Sequence, residues 1–296
     1  MTDFLSKMTI GTAQFGLDYG VSNNNGMVPV EDVNNILSFG GSSGVSSLDT
    51  AISYGKSESV IGESAVGHWD VITKLPSLPE GCENIEEWVF GSVFESLKKL
   101  NISSLEGVLL HRPEQLLEKN GALLYQALCS LKEKGLVKKI GVSIYHPEQL
   151  ENLFEDRTFD IVQAPFSILD RRLEKSGWMG ELKKRDVEIH VRSIFLQGLL
   201  LMGKDNRPQK FNGWGEVWRQ WEGFLSYKNV TALQACLQFV FAKEEVDKVI
   251  VGIDSFDQLK ELVFELKNMP AEMPELPIDL ACDDVNLLDP SRWSLR

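Results

Sequence analysis

The sequence is poor in cysteine and has no arrangement of cysteines that would organise a fold or a metal site. Its four cysteines, Cys82, Cys129, Cys236 and Cys282, are scattered, with no Cys-x-x-Cys pair and no histidine at ligand spacing. Zinc sites and disulfide frameworks need closely spaced ligands or paired cysteines, so we expect neither. Reduced thiols are typical of the cytoplasm, which is the location we expect.

Long apolar runs and an excess of positive charge are also missing. No window approaches the run of about 20 apolar residues that a membrane span needs. The first residues lack the apolar core of a signal peptide. The 296 residues include 30 basic and 43 acidic side chains, for a net charge of −13. Because an acidic chain repels phosphate backbones and anionic membrane surfaces, neither nucleic acid nor a membrane is an expected partner.

What remains is an ordinary globular composition, with 43% hydrophobic and 25% charged residues. Short apolar runs rich in Val, Ile and Leu alternate along the chain with longer amphipathic segments. Runs of this kind, mostly without alternation of polar and apolar residues, are typical of strands buried on both faces. The runs are Thr9–Gly11, Val45–Asp49, Asp70–Lys74, Glu106–His111, Lys139–Ser143, Asp160–Gln163, Val187–Val191 and Lys248–Gly252.

The segments between these runs predict helices, the clearest of them over residues 85–100, where apolar residues recur on one face. Eight strand–helix alternations without a linker predict an α/β fold, a (β/α)8 TIM barrel. We expect a single domain over 1–296, with the barrel over about 9–267 and a tail over about 268–296. The alternative is an open, doubly wound sheet. It would show a glycine-rich phosphate fingerprint after the first strand, and Gly11–Gly16 does not fit that fingerprint.

Two segments depart from the repeating pattern. Residues 196–229 are long and contain Trp214, Trp218 and Trp221. A long connection after a barrel strand often lies over the active site, but these tryptophans would equally form one face of an extra helix packed on the barrel. The tail from Met269 contains four prolines and many acidic residues. We expect it to wrap the surface, and a contribution to the site or to an oligomer contact stays open.

Polar side chains at the ends of the predicted strands are the candidates for chemistry, because barrel active sites form where strands end and loops begin. Three successive strand ends have Asp49, Lys74 and His111, and Tyr54 follows shortly after Asp49. A lysine that closes an apolar run is partly buried and needs a carboxylate partner. Asp49 is a suitable partner for Lys74.

This set of residues suits proton delivery. A tyrosine has an ordinary pKa of about 10 and is a poor acid at neutral pH. We expect the Lys74 ammonium to lower the pKa of Tyr54 and so make it a usable general acid, with His111 orienting a carbonyl or relaying a proton. Such a set serves a reaction in which hydride reduces a carbonyl and the oxygen gains negative charge. A less suitable alternative is an isomerase or aldolase that uses Lys74 as a Schiff-base nucleophile.

The motifs around these residues resemble the aldo/keto reductase superfamily, and they occur in the family's order. They are Leu48-Asp49-Thr50-Ala51-x-x-Tyr54-Gly55, Ile72-Thr73-Lys74, Leu109-Leu110-His111-Arg112-Pro113 and Gly141-Val142-Ser143. The resemblance runs over about 9–266 and implies a (β/α)8 barrel that mostly uses NADPH to reduce aldehydes and ketones. It implies that Tyr54 is the general acid and that Lys74 with Asp49 tunes it. It also implies that His111 positions the substrate carbonyl.

The resemblance implies a nicotinamide site at the fifth to seventh strands. Ser143 and Gln163 match the pair that holds the carboxamide, although Ile144 stands where the family usually has Asn. Arg192 stands where an aromatic ring commonly packs on the nicotinamide. Its planar guanidinium can stack on that ring, or it can pair with a carboxylate or a cofactor phosphate. The loop that follows is expected to wrap the pyrophosphate through Ser193, Phe195 and Gly198.

The eighth strand and the helix after it bear on the choice between NADP and NAD. Relatives that bind the 2′-phosphate typically have basic residues here, but Gly252 and Gln258 occupy the usual Lys and Arg positions. Asp254 and Asp257 would repel a phosphate, whereas a helix beginning near Ser255 could bind it through backbone N–H groups. NADP is expected by resemblance, and NAD is the alternative. Gln258 and Glu261 are candidates for contacting the adenosine. The alternative is that they belong to an ordinary capped surface helix.

The expected partner is a small-molecule carbonyl substrate, acted on by a monomer or small homo-oligomer. A sugar-derived carbonyl is one candidate, because 192–201 resembles family members of bacterial sugar or surface-polysaccharide metabolism. Phe15, Tyr19 and Tyr145 are candidates for lining the substrate site. A second function stays open, that of a cofactor-binding regulatory subunit of the same fold without significant turnover.

Overall fold

The computed structural model describes residues 4–23, 25–64, 67–270 and 280–293. Within these residues, eight parallel strands close into a barrel in which each strand pairs with its neighbours in sequence and β8 pairs with β1. The strands are β1 (Met8–Gly11), β2 (Ser47–Asp49), β3 (Asp70–Leu75), β4 (Leu105–Leu110), β5 (Val137–Ser143), β6 (Ile161–Pro165), β7 (Glu188–Arg192) and β8 (Lys248–Gly252). The predicted (β/α)8 barrel is confirmed.

Helices cover the outside of the barrel between the strands. In chain order they are α1 (Phe4–Lys7), α2 (Ala13–Gly16), α3 (Val30–Ser43), α4 (Ser57–Glu63), α5 (Ile85–Leu100), α6 (Gly121–Glu133), α7 (Gln149–Leu153), α8 (Arg172–Lys175), α9 (Trp178–Lys184), α10 (Gly215–Lys228), α11 (Ala232–Phe241), α12 (Phe256–Lys267) and α13 (Val285–Leu288). In α5 the predicted apolar face is buried through Val89 and Val93, and Asn101 ends the helix with a left-handed φ of 54°. Burial of such faces against the strands forms the main core.

The inside of the barrel has its own small apolar cluster, made of Ile72, Leu109 and Ile161 and separate from the main core. Side chains alternate along a strand, so Lys74 lies on the same face as Ile72, and Gln163 on the same face as Ile161. The apolar cluster therefore forms a floor, and the next layer of side chains toward the carboxyl ends of the strands is polar. This layer positions the site.

Strand ends differ slightly from the predictions, and one difference matters. β4 ends at Leu110, so His111 is the first residue of the loop and not the last of the strand. Its backbone N–H still donates to the carbonyl oxygen of Leu75 at 3.1 Å. This hydrogen bond to the neighbouring strand fixes where the His111 side chain leaves the barrel.

The tryptophan-rich part of 196–229 packs on the barrel. Trp218 and Trp221 of α10 are buried. Their indole N–H groups donate to the carbonyl oxygens of Phe211 at 2.8 Å and Leu200 at 3.1 Å. These two residues therefore belong to an extra packed helix, which was one of the two predicted possibilities.

The described part of the tail, 280–293, contacts the same segment. Trp293 packs edge-on against the ring of Phe211 with centroids 4.8 Å apart. The Trp214 indole donates to Asp284 at 2.8 Å. Two prolines of the predicted tail lie outside the described residues, Pro274 and Pro277. The division of the chain into a barrel and a tail stays a prediction.

Three further observations concern membrane-spanning helices, metal sites and cysteines. In the part of the chain that the structure describes, no helix has both the length and the apolar character to cross a bilayer. Over the same residues, no three His, Cys, Asp or Glu side chains come together as a metal site would require. The four cysteines are free thiols.

Candidate active site

A cavity of about 380 Å³ lies at the carboxyl ends of the strands. Its volume is within the range of about 300–1,000 Å³ in which proteins bind small molecules and cofactors. Most of the predicted site residues line it: Asp49, Tyr54, His111, Ser143, Gln163, Arg192, Ser193, Phe195, Gly198, Gly252 and Gln258. Strand ends and the loops after them thus bring together residues from the whole length of the chain.

Lys74 lies beneath the cavity wall, in a buried ion pair. Its ammonium donates to Asp49 Oδ1 at 2.6 Å and to the Thr50 carbonyl oxygen at 3.0 Å, and its side chain is 1% exposed. Burial lowers the pKa of Lys74, and the Asp49 carboxylate opposes that shift. The ammonium is 5.4 Å from the ring centroid of Tyr54. The predicted Asp49–Lys74 pairing is therefore present directly behind Tyr54.

The pair continues into a hydrogen-bonded chain that the sequence did not predict. Gln163 Nε2 donates to Asp49 Oδ2 at 2.7 Å, and Ser143 Oγ donates to Gln163 Oε1 at 3.2 Å. Both carboxylate oxygens of Asp49 thus have partners, which reduces the cost of burying its charge. The chain connects the tyrosine side of the cavity with the two residues predicted to hold a carboxamide.

The pKa of Tyr54 is shifted opposite to our expectation. Burial raises the pKa above its ordinary value, the Asp49 charge raises it further, and Arg192 opposes. The expected lowering by Lys74 is wrong, because Asp49 offsets the ammonium charge and burial disfavours a phenolate. Tyr54 therefore holds its proton throughout the neutral pH range.

His111 stands beside Tyr54, with ring centroids 6.0 Å apart at 79°. Its Nδ1 is 3.2 Å from the hydroxyl of Ser53, a cavity residue that sequence reasoning missed. Burial lowers the pKa of His111 to about 4, helped by the positive charges of Lys74 and Arg192. The imidazole is therefore neutral at physiological pH, with one nitrogen able to donate a hydrogen bond.

Arg192 is the single lysine or arginine among the described residues that line the cavity. Its guanidinium lies over the Tyr145 ring at 4.5 Å and donates to the Ile144 carbonyl oxygen at 3.0 Å. Among the described residues it has no carboxylate partner. Of the predicted possibilities, pairing with a protein carboxylate is thus not found, and a planar cation remains available in the cavity.

The loop after β7 is held in an unusual backbone conformation. Ser193, Leu196 and Gln197 have φ angles of 62°, 50° and 52°, and Gly198 follows at 86°. Left-handed angles cost roughly 1–2 kcal/mol for residues with a Cβ, so surrounding contacts must hold them. Gln197 Nε2 donates to the hydroxyl of Tyr19 at 2.9 Å. This loop therefore meets the loop after β1 at the cavity.

The start of α12 matches its predicted cap in part. Ser255 Oγ accepts from the Gln258 N–H at 3.2 Å, and Gln258 Oε1 accepts from the Asp254 N–H at 2.7 Å, one residue earlier than in a capping box. The Ser255 hydroxyl is turned to the helix, and Glu261 is exposed on α12, so neither lines the cavity. Phe15 is also absent from the lining, because its side chain is buried in the core.

Several cavity residues were not predicted, and they come mainly from the loop after β1. They are Thr12, Gln14, Leu17, Ser22, Ser53 and Gln197, and Asp254, which the sequence singled out only for its charge, also lines the cavity. Their positions after strand ends were the available signal. Residue type alone did not separate them from ordinary loop residues.

The fold and the cavity define a (β/α)8-barrel protein with a polar site at the carboxyl ends of its strands. The sequence model of the aldo/keto reductase family matches residues 7–273. The chain therefore belongs to the aldo/keto reductase family, whose general activity is the reduction of carbonyl compounds.

Relatives and solved structures agree with this membership. The chain is similar to the uncharacterized oxidoreductase YqkF of Bacillus subtilis, with 23% identity over 245 residues, 74% of this chain and 76% of that protein. It is also similar to the holo form of aldo-keto reductase AKR11C1 from Bacillus halodurans, with a TM-score of 0.72, 20% identity and coverage of 90% of this chain and 88% of that one. For the apo form the TM-score is 0.65, the identity 21%, and the coverage 86% and 85%. At these identities the structural likeness supports the fold.

Proposed function

We propose that this protein is an NAD(P)H-dependent oxidoreductase that reduces an aldehyde or ketone to an alcohol, with Tyr54 as its general acid. The observation that carries the proposal is the buried Asp49–Lys74 pair directly behind Tyr54, with a neutral His111 at the same cavity. A phenol, an ammonium and a neutral imidazole around one position suit an oxygen that gains negative charge.

The cavity residues fit a dinucleotide. Two buried acceptor atoms on its wall, Gln14 Oε1 and Asp254 Oδ1, lack partners among the described residues, as expected where a ligand supplies donors. In the proposed arrangement the nicotinamide end lies against Ser143, Gln163 and Arg192. The pyrophosphate is wrapped by Ser193, Phe195 and Gly198. The adenosine end lies at Gly252 and Gln258, with Ser255 acting through its cap on α12 and Glu261 left outside the set.

The reaction then follows from the side chains. A reduced nicotinamide in this cavity would supply hydride to the carbonyl carbon. Tyr54 donates its phenolic proton to the carbonyl oxygen as negative charge grows there. Because an alkoxide is a much stronger base than a phenolate, this transfer stays favourable although burial raises the pKa of Tyr54. The Lys74 ammonium balances the Asp49 carboxylate, so the phenolate that remains does not face an uncompensated negative charge.

His111 acts on the same oxygen in this proposal. In the proposed tautomer, the Ser53 hydroxyl donates to Nδ1 and the neutral imidazole bears its proton on Nε2, which donates toward the substrate carbonyl. This hydrogen bond orients the carbonyl between the phenol and the hydride donor. A protonated imidazole would add a further positive charge beside Lys74 and Arg192. The lowered pKa of His111 keeps the imidazole neutral and so avoids this charge.

We extend the proposal to a sugar-derived carbonyl as substrate. The cavity offers hydroxyl groups from Tyr19, Ser53 and Tyr145 and the guanidinium of Arg192, which suit a ligand with several hydroxyl groups. Tyr19, Ser53 and Arg192 each already have one protein partner, and a purely apolar carbonyl would leave their remaining hydrogen-bonding capacity unused.

Binding and turnover are tested in sequence. NADH and NADPH are titrated while protein tryptophan fluorescence is followed, and a panel of aldehydes, ketones and aldoses is then assayed with the nucleotide that binds more tightly. We expect micromolar binding and turnover, with aldoses among the substrates. Failure of both nucleotides to bind would end the oxidoreductase proposal. Binding without turnover across the panel would favour a regulatory subunit.

A further inference from the structure

Two unsatisfied acceptor atoms lie on one part of the cavity wall. Gln14 is 8% exposed, and neither its Oε1 nor the buried Oδ1 of Asp254 has a hydrogen-bond partner among the described residues. Both residues line the cavity. Because buried polar atoms in folded proteins nearly always have partners, two unpartnered acceptors on residues that line a cavity indicate a ligand that brings donors.

The two side chains are neighbours although they are far apart in the sequence. Pairing of β1 with β8 sets Gly11 beside Gly252. Gln14 covers Gly252 so closely that a Cβ there would come within 2.7 Å of its Nε2. Hydrogen bonds from Gln14 and Gln258 oppose the effect of burial, which raises the pKa of Asp254. The Asp254 carboxyl is thus held by two glutamine side chains, and its Oδ1 still has no partner among the described residues.

Barrel geometry separates this pair from the reacting end of the cavity. In a closed barrel of eight strands, the seam between β1 and β8 lies across the axis from β4 and β5. His111 and Ser143 mark that opposite side. A dinucleotide with its nicotinamide beside them therefore extends its other end toward Gln14 and Asp254.

The chemistry of the pair selects between two dinucleotides. Both open atoms accept hydrogen bonds, and one belongs to a carboxylate. The 2′- and 3′-hydroxyls of an adenosine ribose supply two neighbouring donors, whereas a 2′-phosphate supplies none and is repelled by the carboxylate. Arg192, the single lysine or arginine of the described lining, ends β7, but its guanidinium is turned toward the segment after β5, where it lies over Tyr145 and donates to the Ile144 carbonyl oxygen.

We propose that Asp254 and Gln14 bind the vicinal diol of the adenosine ribose, so that the protein selects NAD(H) over NADP(H). The inference rests on the proposed function, because it concerns the cofactor of that reaction. It replaces the family expectation of NADP with a preference set by two residues of this chain.

Calorimetric titration of the full chain tests the proposal without turnover. The ligands are NADH and NADPH, together with ADP-ribose and 2′-phospho-ADP-ribose, which lack the nicotinamide. We expect the unphosphorylated member of each pair to bind at least about tenfold more tightly. Asp254→Asn should reduce the ratio of the two dissociation constants about tenfold, because the phosphorylated ligand then binds more tightly. Gln14→Leu should weaken the binding of ADP-ribose about tenfold.

Asp257→Asn is the matched control. It removes the same charge from the first turn of α12, where Asp257 is 87% exposed and paired with Lys260. We expect the ratio to stay within about twofold of the unmodified protein, because exposed charges are screened. If Asp257→Asn changed the ratio of dissociation constants as much as Asp254→Asn, a general charge effect would explain the preference, and the proposal would be overturned.

Other outcomes are equally decisive. Tighter or equal binding of the phosphorylated ligands by the unmodified protein would overturn the preference. If Asp254→Asn left the ratio of dissociation constants unchanged, Asp254 would not belong to the subsite. Gln14→Leu is the second test if Asp254→Asn fails to fold. If neither dinucleotide binds, the proposed function fails, while the ADP-ribose pair still decides the subsite.

Discussion

The two ends of the barrel both place charged side chains at its interior, and they differ in how those charges are satisfied. At the carboxyl end, the Asp49–Lys74 pair is almost completely buried, at 5% and 1% exposure. At the amino end, Lys139 contacts Glu106 at 2.8 Å and Glu188 at 2.7 Å while remaining 29% exposed. The first pair is shielded from water beside the cavity, whereas the charges of the second set are partly hydrated.

The pKa shifts follow the same division. At the amino end, hydrogen bonds to His190 and Lys139 outweigh burial and lower the pKa of Glu188 to about 2. At the carboxyl end, burial is the largest cause, and it raises the pKa of Tyr54 and lowers that of His111. One end thus stabilises full charges, and the other keeps two groups neutral beside a cavity. The difference supports the proposed placement of the chemistry at the carboxyl end.

The largest effect expected from breaking this division is at Tyr54. Tyr54→Phe keeps the ring and removes the proposed proton donor, so kcat should fall by about 10²–10⁴-fold. The dissociation constant of the bound nucleotide should stay within about threefold, because the hydroxyl acts on the carbonyl oxygen. Steady-state kinetics and fluorescence titration measure the two quantities. Full activity in this variant would sink the assignment of Tyr54.

Lys74→Met should cause the next largest effect. It leaves the buried Asp49 carboxylate without its cation, so the free energy of unfolding should fall by about 3–5 kcal/mol in denaturant titrations. Lys74→Met combined with Asp49→Asn removes the unpaired charge and should recover at least half of that loss. A double variant as unstable as the single one would contradict the account of the pair.

Lys139→Met makes the corresponding change at the amino end. Glu106 keeps Lys138 at 2.8 Å and Glu188 keeps His190 at 3.1 Å, and water reaches the site. The free energy of unfolding should therefore change by less than about 1 kcal/mol. The kcat should be unchanged, because the site is at the other end of the barrel. A loss as large as that of Lys74→Met would abolish the contrast between the ends.

Mild acid should produce the smallest effect and act on one end first. Since the pKa of His111 is lowered to about 4, kcat/KM should hold as pH falls to about 5 and halve near pH 4. Because the unfolded chain binds this proton more readily, His111 also lowers stability as pH falls from about 6.5 toward 4. Glu188, with a pKa of about 2, stays ionised in the folded protein over that window, and its contribution to stability is lost as pH falls from its ordinary pKa of 4.5 toward 2.

A pH profile between 8 and 4, with circular dichroism at each point, separates titration from unfolding. His111→Gln should have low activity and no acid limb within the folded range. An acid limb that persists unchanged in this variant would assign the titration to another group.

Strand ends explain why so much of the site could be predicted. The apolar runs that end in Asp49, Lys74 and His111 give both the strand and the residue that leaves it, and parallel strands bring such ends to one place. Arg192 directly follows the predicted run Val187–Val191, and the structure extends β7 to include it. For these residues the local signal was an apolar run with a polar side chain at its end, and the structure places all of them at or beside the cavity.

Contacts between distant loops could not be predicted, because no local pattern encodes them. Gln14 lies in α2, a helix of four residues that is too short to leave an apolar periodicity. Its neighbour Asp254 was noticed for its charge, but nothing in the sequence shows the open oxygen beside it. The direction of the Tyr54 pKa was missed for a similar reason: burial depends on the assembled cavity, and only the neighbouring ammonium was visible.

The seam between β1 and β8 also bears on how the protein is made. Met8 pairs with Val249, so the barrel cannot close until β8 has left the ribosome. During synthesis, the edge of β1 that pairs with β8 stays unpaired until most of the chain has been made. A ligand held by Gln14 and Asp254 would bind only chains that have completed this step. Added nucleotide should therefore increase the yield of soluble protein during translation.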